Sequence, residues 1–196
     1  DQWPGKPTRF VIGVDFGWED PFAMLIIGID DRGHIYVVDE VYRRHFPEHL
    51  IPRVVQRAVK HYKASYVFPD PSSPGKVSAI RATGCPVWTR GINKWGEADD
   101  PTTGIGIMTW LLRNNLPDGS QRLYISPRCT HFKQEIESWV WPDDQRADQN
   151  RKEKPRAKAD HLMDCLRYNL MGMNVLGWIS PKSSLAPQKY EARFVA

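Results

Sequence analysis

Residues 10–42 read FVIGVDFGWEDPFAMLIIGIDDRGHIYVVDEVY, and the alternation of apolar runs and turns within them decides the fold. Residues 10–15 (FVIGVD), 22–29 (FAMLIIGI) and 34–42 (HIYVVDEVY) are short and rich in β-branched residues, the composition of buried strands. The gaps between them, FGWEDP at 16–21 and DDRG at 30–33, hold the Gly, Pro and Asp that tight reversals need. Three strands joined by two short turns form an antiparallel meander.

The chain beyond the meander changes period. Leu50, Val54, Ala58 and Tyr62 recur every four residues with Ile51, Val55 and Val59 beside them, an apolar stripe that predicts a helix. Residues 65–68 (SYVF) read as a buried strand ending at Pro69-Asp70, and the loop Pro71-Ser72-Ser73-Pro74-Gly75 precedes a short helix over 77–82. A further strand is expected at 86–88, a helix over 103–114, a strand over 122–126 and a helix over 130–139 with Phe132 and Ile136 inward. Residues 141–158 are nearly all polar, which predicts a loop or an exposed β-ribbon. The helix expected over 159–173 carries Leu162, Leu166 and Leu170 on one face. Strands and helices alternating after a meander make an α/β protein with a mixed sheet.

With 196 residues, 41% of them hydrophobic, the chain is long enough to bury one substantial core. It holds no run of about 18 apolar residues and no signal pattern at its start, so a cytoplasmic protein without membrane contact is expected. Cys85, Cys129 and Cys165 lie too far apart for a zinc pair or a disulfide framework and are expected as reduced core residues. The net charge is +4. Arg146, Arg151, Lys152, Lys154, Arg156 and Lys158, against Asp148 and Glu153, account for that whole excess, which makes 145–158 the expected contact for a polyanion. Arg43, Arg44 and His45 form a smaller basic patch.

Three places carry candidate chemistry. Asp15 interrupts an apolar strand, where an ionised carboxylate is costly unless a cation or several donors receive it. Asp70 likewise ends an apolar strand, and it also suits the start of a turn. On the last helix, Asp160 and Asp164 are four apart and His161 and Asp164 three apart, which makes them neighbours on one surface. Asp160 also suits the positive end of that helix, while Asp164, between Met163 and Cys165, falls at a half-buried position.

Taken together, FVIGVDFG, YVFPD and DHLMDCLRY resemble the three acidic signatures of ribonuclease H-like nucleases. His161 and Asp164 as H-x-x-D, followed by Arg167-Tyr168, look most like the nuclease domain of bacteriophage terminase large subunits; Holliday-junction resolvases share the first part. The resemblance spans about residues 9–173 in element order. It implies a five-stranded mixed sheet, with three antiparallel strands and two more parallel to the first, flanked by helices. It also implies a nuclease domain over 1–178, with 145–158 as a basic insertion and 179–196 as a tail.

By the same resemblance Asp15, Asp70 and Asp164 are the main catalytic metal ligands, and Asp160 or His161 completes a second ion site. Asp70 stands where such families often have glutamate, so its strand must approach the metal more closely. Oxygen ligands favour Mg²⁺ or Mn²⁺, two ions per site, over zinc. The implied substrate is double-stranded DNA, cut with little sequence preference. The implied partners are an ATP-driven motor domain outside this chain, a portal and a small terminase subunit.

Other readings are separable. Ser73-Pro74-Gly75-Lys76 is not a nucleotide-binding phosphate loop, because Asp70 stands where its first glycine belongs and Val77 replaces the Ser or Thr. A resolvase-like or transposase-like enzyme shares the fold and would differ in substrate. A non-catalytic binding module would use the eight tryptophans, Trp3, Trp18, Trp88, Trp95, Trp110, Trp139, Trp141 and Trp178, which more often serve packing.

Overall fold

In a computed structural model that describes residues 3–92, 103–139 and 160–181, the meander forms as its turns dictate. Strands β1 (Arg9–Asp15), β2 (Phe22–Ile29) and β3 (Ile35–Arg43) pair antiparallel in sequence order. Helix α1 (Ile51–Tyr62) leads to β4 (Tyr66–Pro69), which lies parallel to β1. Helices α2 (Pro74–Ala82) and α3 (Gly104–Arg113) precede β5 (Leu123–Ile125), which adds in parallel to the outer edge of β3. The order β4-β1-β2-β3-β5 makes one mixed five-stranded sheet. Residues 86–88 do not extend it as a full strand: Val87 makes only an isolated parallel bridge to Val67.

Period-two alternation divides the side chains between two layers. Val11, Leu25, Ile27 and Val37 face α3, α4 (Thr130–Ser138) and α5 (His161–Val175), while Ile12, Val14, Met24 and Ile26 face α1 and α2. β2 is buried along its whole length, which explains why FAMLIIGI has no polar residue.

α5 is the central helix. It packs on β1, β2 and β4 and against α3 and α4, and every residue from Leu162 to Met173 is buried. Glycine permits the close approach: a Cβ on Gly13 of β1 would collide with the Cys165 carbonyl of α5, and one on Gly172 would collide with the Phe68 ring. The helix starts at His161, two residues later than its apolar pattern predicts. On α4 the inward positions are Phe132 and Glu135; Ile136 is only partly buried. The three cysteines are buried and unpaired, as expected. Among the described residues no helix is long and apolar enough to cross a membrane. The basic residues at 146–158 and most of the tail at 179–196 lie outside the described residues.

Candidate active site

Parallel pairing of β1 with β4 places two carboxylates on adjacent strand ends. Val14 registers with Pro69, and the Asp70 amide donates to the Val14 carbonyl at 2.8 Å, so Asp15 and Asp70 leave the sheet side by side. α5 runs antiparallel to β1 above them. Its Cys165 carbonyl covers Gly13, and one turn earlier His161 reaches Asp15, Nδ1 to Oδ2 at 2.9 Å.

Asp15 is 6% exposed and Asp164 only 2%, so both are carboxylates withdrawn from water. Asp164 pairs with the buried Arg167 guanidinium one turn further along α5. Asp160 sits at the N-cap position without capping through its side chain, and its carboxylate lies 3.9 Å from Arg167 on the exposed side. Asp70 starts the turn that its neighbours suggested, accepting from the Ser72 amide at 2.9 Å and the Ser72 hydroxyl at 2.7 Å. The structure therefore joins Asp15 to His161, sets Asp70 beside Asp15, and places Asp164 on the same helix turned toward Arg167. Asp160 stands further out.

The electrostatics register this crowding. The hydrogen bond to Asp15 holds the His161 imidazole above its ordinary range, against the opposing pull of burial, and the fields of Asp15, Glu135 and Asp20 add to it. The Tyr168 phenol is driven far up by burial first, then by Asp15 and Asp70, so one buried ring lies within the field of both carboxylates. The Arg167 guanidinium is pushed down by burial, and Asp160 and Asp15 oppose the shift. Burial also keeps the Cys165 thiol protonated, and it donates to the Ala23 carbonyl at 3.4 Å.

Among the described residues no three carboxylate, imidazole or thiol groups stand close enough to grip an ion in this arrangement. The donors nevertheless fit a hard divalent cation in kind: oxygen ligands at adjacent strand ends, one imidazole beside them, and the nearest thiol turned away to a carbonyl. Two neighbouring carboxylates and a third on the covering helix are a charge density that a cation relieves.

One residue here was not anticipated. Glu135 of α4 is 4% exposed, and its Oε2 accepts from the amides of Leu162 at 2.7 Å and Met163 at 3.1 Å. It therefore caps α5 from another helix, where Asp160 does not. Burial raises its carboxyl, although the two amides pull the other way. Glu40 repeats the device one step earlier, accepting from the amides of His131 at 2.9 Å and Phe132 at 2.8 Å at the start of α4. A chain of carboxylate caps thus runs from β3 through α4 to the first turn of α5. The available signal was the spacing of Glu135 from Phe132, which puts both on one helical face.

The sequence matches no protein-family model and no curated protein. Its structure is similar to solved ones. The large terminase of a thermophilic bacteriophage, in complex with ATP-gamma-S, aligns over 86% of this chain and 41% of its own, with TM-score 0.63 and 20% identity. The g2p nuclease domain of bacteriophage SPP1 with bound Mn aligns over 82% of this chain and 84% of its own, with TM-score 0.58 and 22% identity. The P22 large terminase nuclease domain aligns over 85% and 81%, with TM-score 0.60 and 16% identity. The chain thus spans 41% of the length of the thermophilic phage's large terminase but most of the isolated nuclease domains. Its fold is the ribonuclease H-like fold of large terminase nuclease domains.

Proposed function

We propose that this chain is a metal-dependent endodeoxyribonuclease, the DNA-cutting part of a terminase large subunit, and that it cleaves double-stranded DNA with little sequence preference during viral genome packaging. The observation that carries this reading is the corner where Asp15 and Asp70 end adjacent parallel strands beneath His161 of α5, in a fold shared with terminase nuclease domains.

Asp15, Asp70, Asp164 and His161 are the residues that hold Mg²⁺ or Mn²⁺, as two ions. The direct bond of His161 to Asp15 and the outward carboxylate of Asp160 support His161 over Asp160. Divalent ions bound there supply Lewis-acid activation of a water and offset charge on the leaving 3′-oxygen. With its Nδ1–H donated to Asp15, His161 orients that carboxylate and presents Nε2 toward Asp20 at 3.9 Å. Arg167 holds Asp164 until a cation competes for it. Arg146, Arg151, Lys152, Lys154, Arg156 and Lys158 contact backbone phosphates, which confer affinity without sequence information.

The motor that drives DNA is supplied by sequence outside this chain, in keeping with the longer large terminase of the thermophilic phage, seen with ATP-gamma-S. A portal and a small terminase subunit are the further partners, and the cytoplasm of the infected host is the setting. The test is plasmid nicking with Mn²⁺ or Mg²⁺ by the wild type and by Asp15→Asn, Asp70→Asn and Asp164→Asn. We expect each substitution to lower the nicking rate at least ~100-fold, on the order of losing one metal ligand's share of transition-state stabilisation. Cutting retained in all three would reject the assignment.

A further inference from the structure

The surface beside Asp15, where the β1–β2 turn meets the end of β3, lies outside the candidate metal site. Trp18 in that turn is 48% exposed, one of two large hydrophobic side chains so exposed among the described residues. It is nonetheless held in place. The His45 amide donates to the Trp18 carbonyl at 3.1 Å, and the two rings meet edge to face with centroids 5.8 Å apart. His45 takes φ of 50°, a left-handed conformation that residues with side chains rarely adopt and that clusters at functional positions.

Arg43 and Arg44, immediately before it, are exposed. Glu40 and Tyr42 of β3 face α4 and α5, as their contacts with His131 show, and Arg44 follows in the turn directly after the strand. Burial and then Glu135 push the partly buried Tyr42 phenol up, and the nearby Arg44 charge draws it part of the way back down. Two residues after Trp18, in the same turn, Asp20 approaches Nε2 of His161 at 3.9 Å. Trp18 thus lies in the turn that leads from Asp15 to Asp20, beside the Asp15–His161 pair, and His45 fastens the end of β3 to that turn.

We propose that this rim grips the DNA strand beside the candidate site, with Arg44 and Arg43 on a backbone phosphate and the Trp18 indole against the adjoining nucleotide. The proposal rests on the nuclease reading. An acidic corner holding Asp15, Asp70, Asp160 and Asp164 repels a polyanion, so cations at its edge are needed to bring phosphate within reach. An exposed, braced indole adds contact that tolerates any sequence, because every base presents a π-face and every sugar an apolar edge. His45 is the positioning residue that keeps the indole outward.

The test is fluorescence anisotropy of a short labelled duplex, and of one of its strands, titrated with the Asp15→Asn chain at low salt. Trp18→Ala should weaken binding about fivefold or more, and Trp18→Phe should recover most of the loss. Arg43→Ala/Arg44→Ala should weaken it several-fold and reduce the slope of log affinity against log salt by about one to two. Arg81→Ala, at the far end of α2, should change nothing. A larger Trp18→Ala loss on the single strand places the indole on an unpaired base, and an equal loss places it on sugar and phosphate. Binding within about twofold of the parent for both Trp18→Ala and Arg43→Ala/Arg44→Ala, at unchanged melting temperature, overturns the rim and leaves the nuclease reading standing. A parent that binds no DNA, with a wild type that cuts none, overturns both.

Discussion

Glu135 shows how a residue on a neighbouring helix can set the geometry of the candidate site. Its carboxylate closes two amides at the start of α5, within a turn of both His161 and Asp164. Glu135→Ala leaves those amides buried without an acceptor and should lower stability by about 1–3 kcal/mol in urea unfolding. Glu135→Gln keeps an acceptor oxygen and removes a buried charge, so it should retain most of the stability; equal losses in the two variants would contradict the capping role. At the opposite end of the sheet, Asp30 accepts from the His34 imidazole and the Tyr36 hydroxyl, both at 2.8 Å. Burial pushes its carboxyl up, but the bonds from His34 and Tyr36 outweigh that and leave it below its ordinary 3.8. A carboxyl lowered by folding contributes stability above its unfolded value and loses it as pH falls through the folded value. Asp30→Asn should therefore be less stable than wild type at neutral pH, and the gap in melting temperature should narrow only below about pH 4. A gap that stays constant down to about pH 3 would show that the charge on Asp30 is not what stabilises the cluster.

At the scale of elements, the sheet was legible because its signals are local. FAMLIIGI has one reading, and the turns on either side of it fix the pairing. On α4 the inward place of Phe132 was legible but that of Glu135 was not, because an apolar period passes over a buried carboxylate whose partners are backbone amides on a different helix. The strand tendency of residues 86–88 was legible, but not that their contact with β4 stops at the single bridge of Val87, since a strand's length depends on what pairs with it. Of the candidate site, Asp15 and Asp70 could be read from their strand ends and His161 and Asp164 from their spacing; the partnership of Asp164 with Arg167 needed the folded helix. Gly13 is the joint between these elements. Gly13→Ala puts a methyl against the Cys165 carbonyl, so α5 must lift from β1, with an expected loss on the order of 3 kcal/mol. Because the lift draws His161 from Asp15, nicking should fall more steeply than the folded fraction does. A Gly13→Ala chain as stable and as active as wild type would mean that the close helix–strand approach does not position the site.

For the whole molecule, the fold brings together at one corner side chains that lie far apart in sequence, Asp15 and His161 being separated by a step of 146 in residue number. β1 and β4 deliver Asp15 and Asp70, α5 delivers His161 and Asp164, and β3 with the β1–β2 turn forms the rim. His161 and Arg167 answer part of the charge that gathers at the end of this otherwise apolar sheet, and a bound cation would answer the rest. The most direct measurement is a crystal structure of the chain soaked in Mn²⁺, with anomalous scattering used to locate the metal. The account predicts manganese coordinated by Asp15 and Asp70, with Asp164 released from Arg167 to join them. A well-ordered corner without manganese, Asp164 still paired with Arg167 and the metal bound elsewhere, would contradict it.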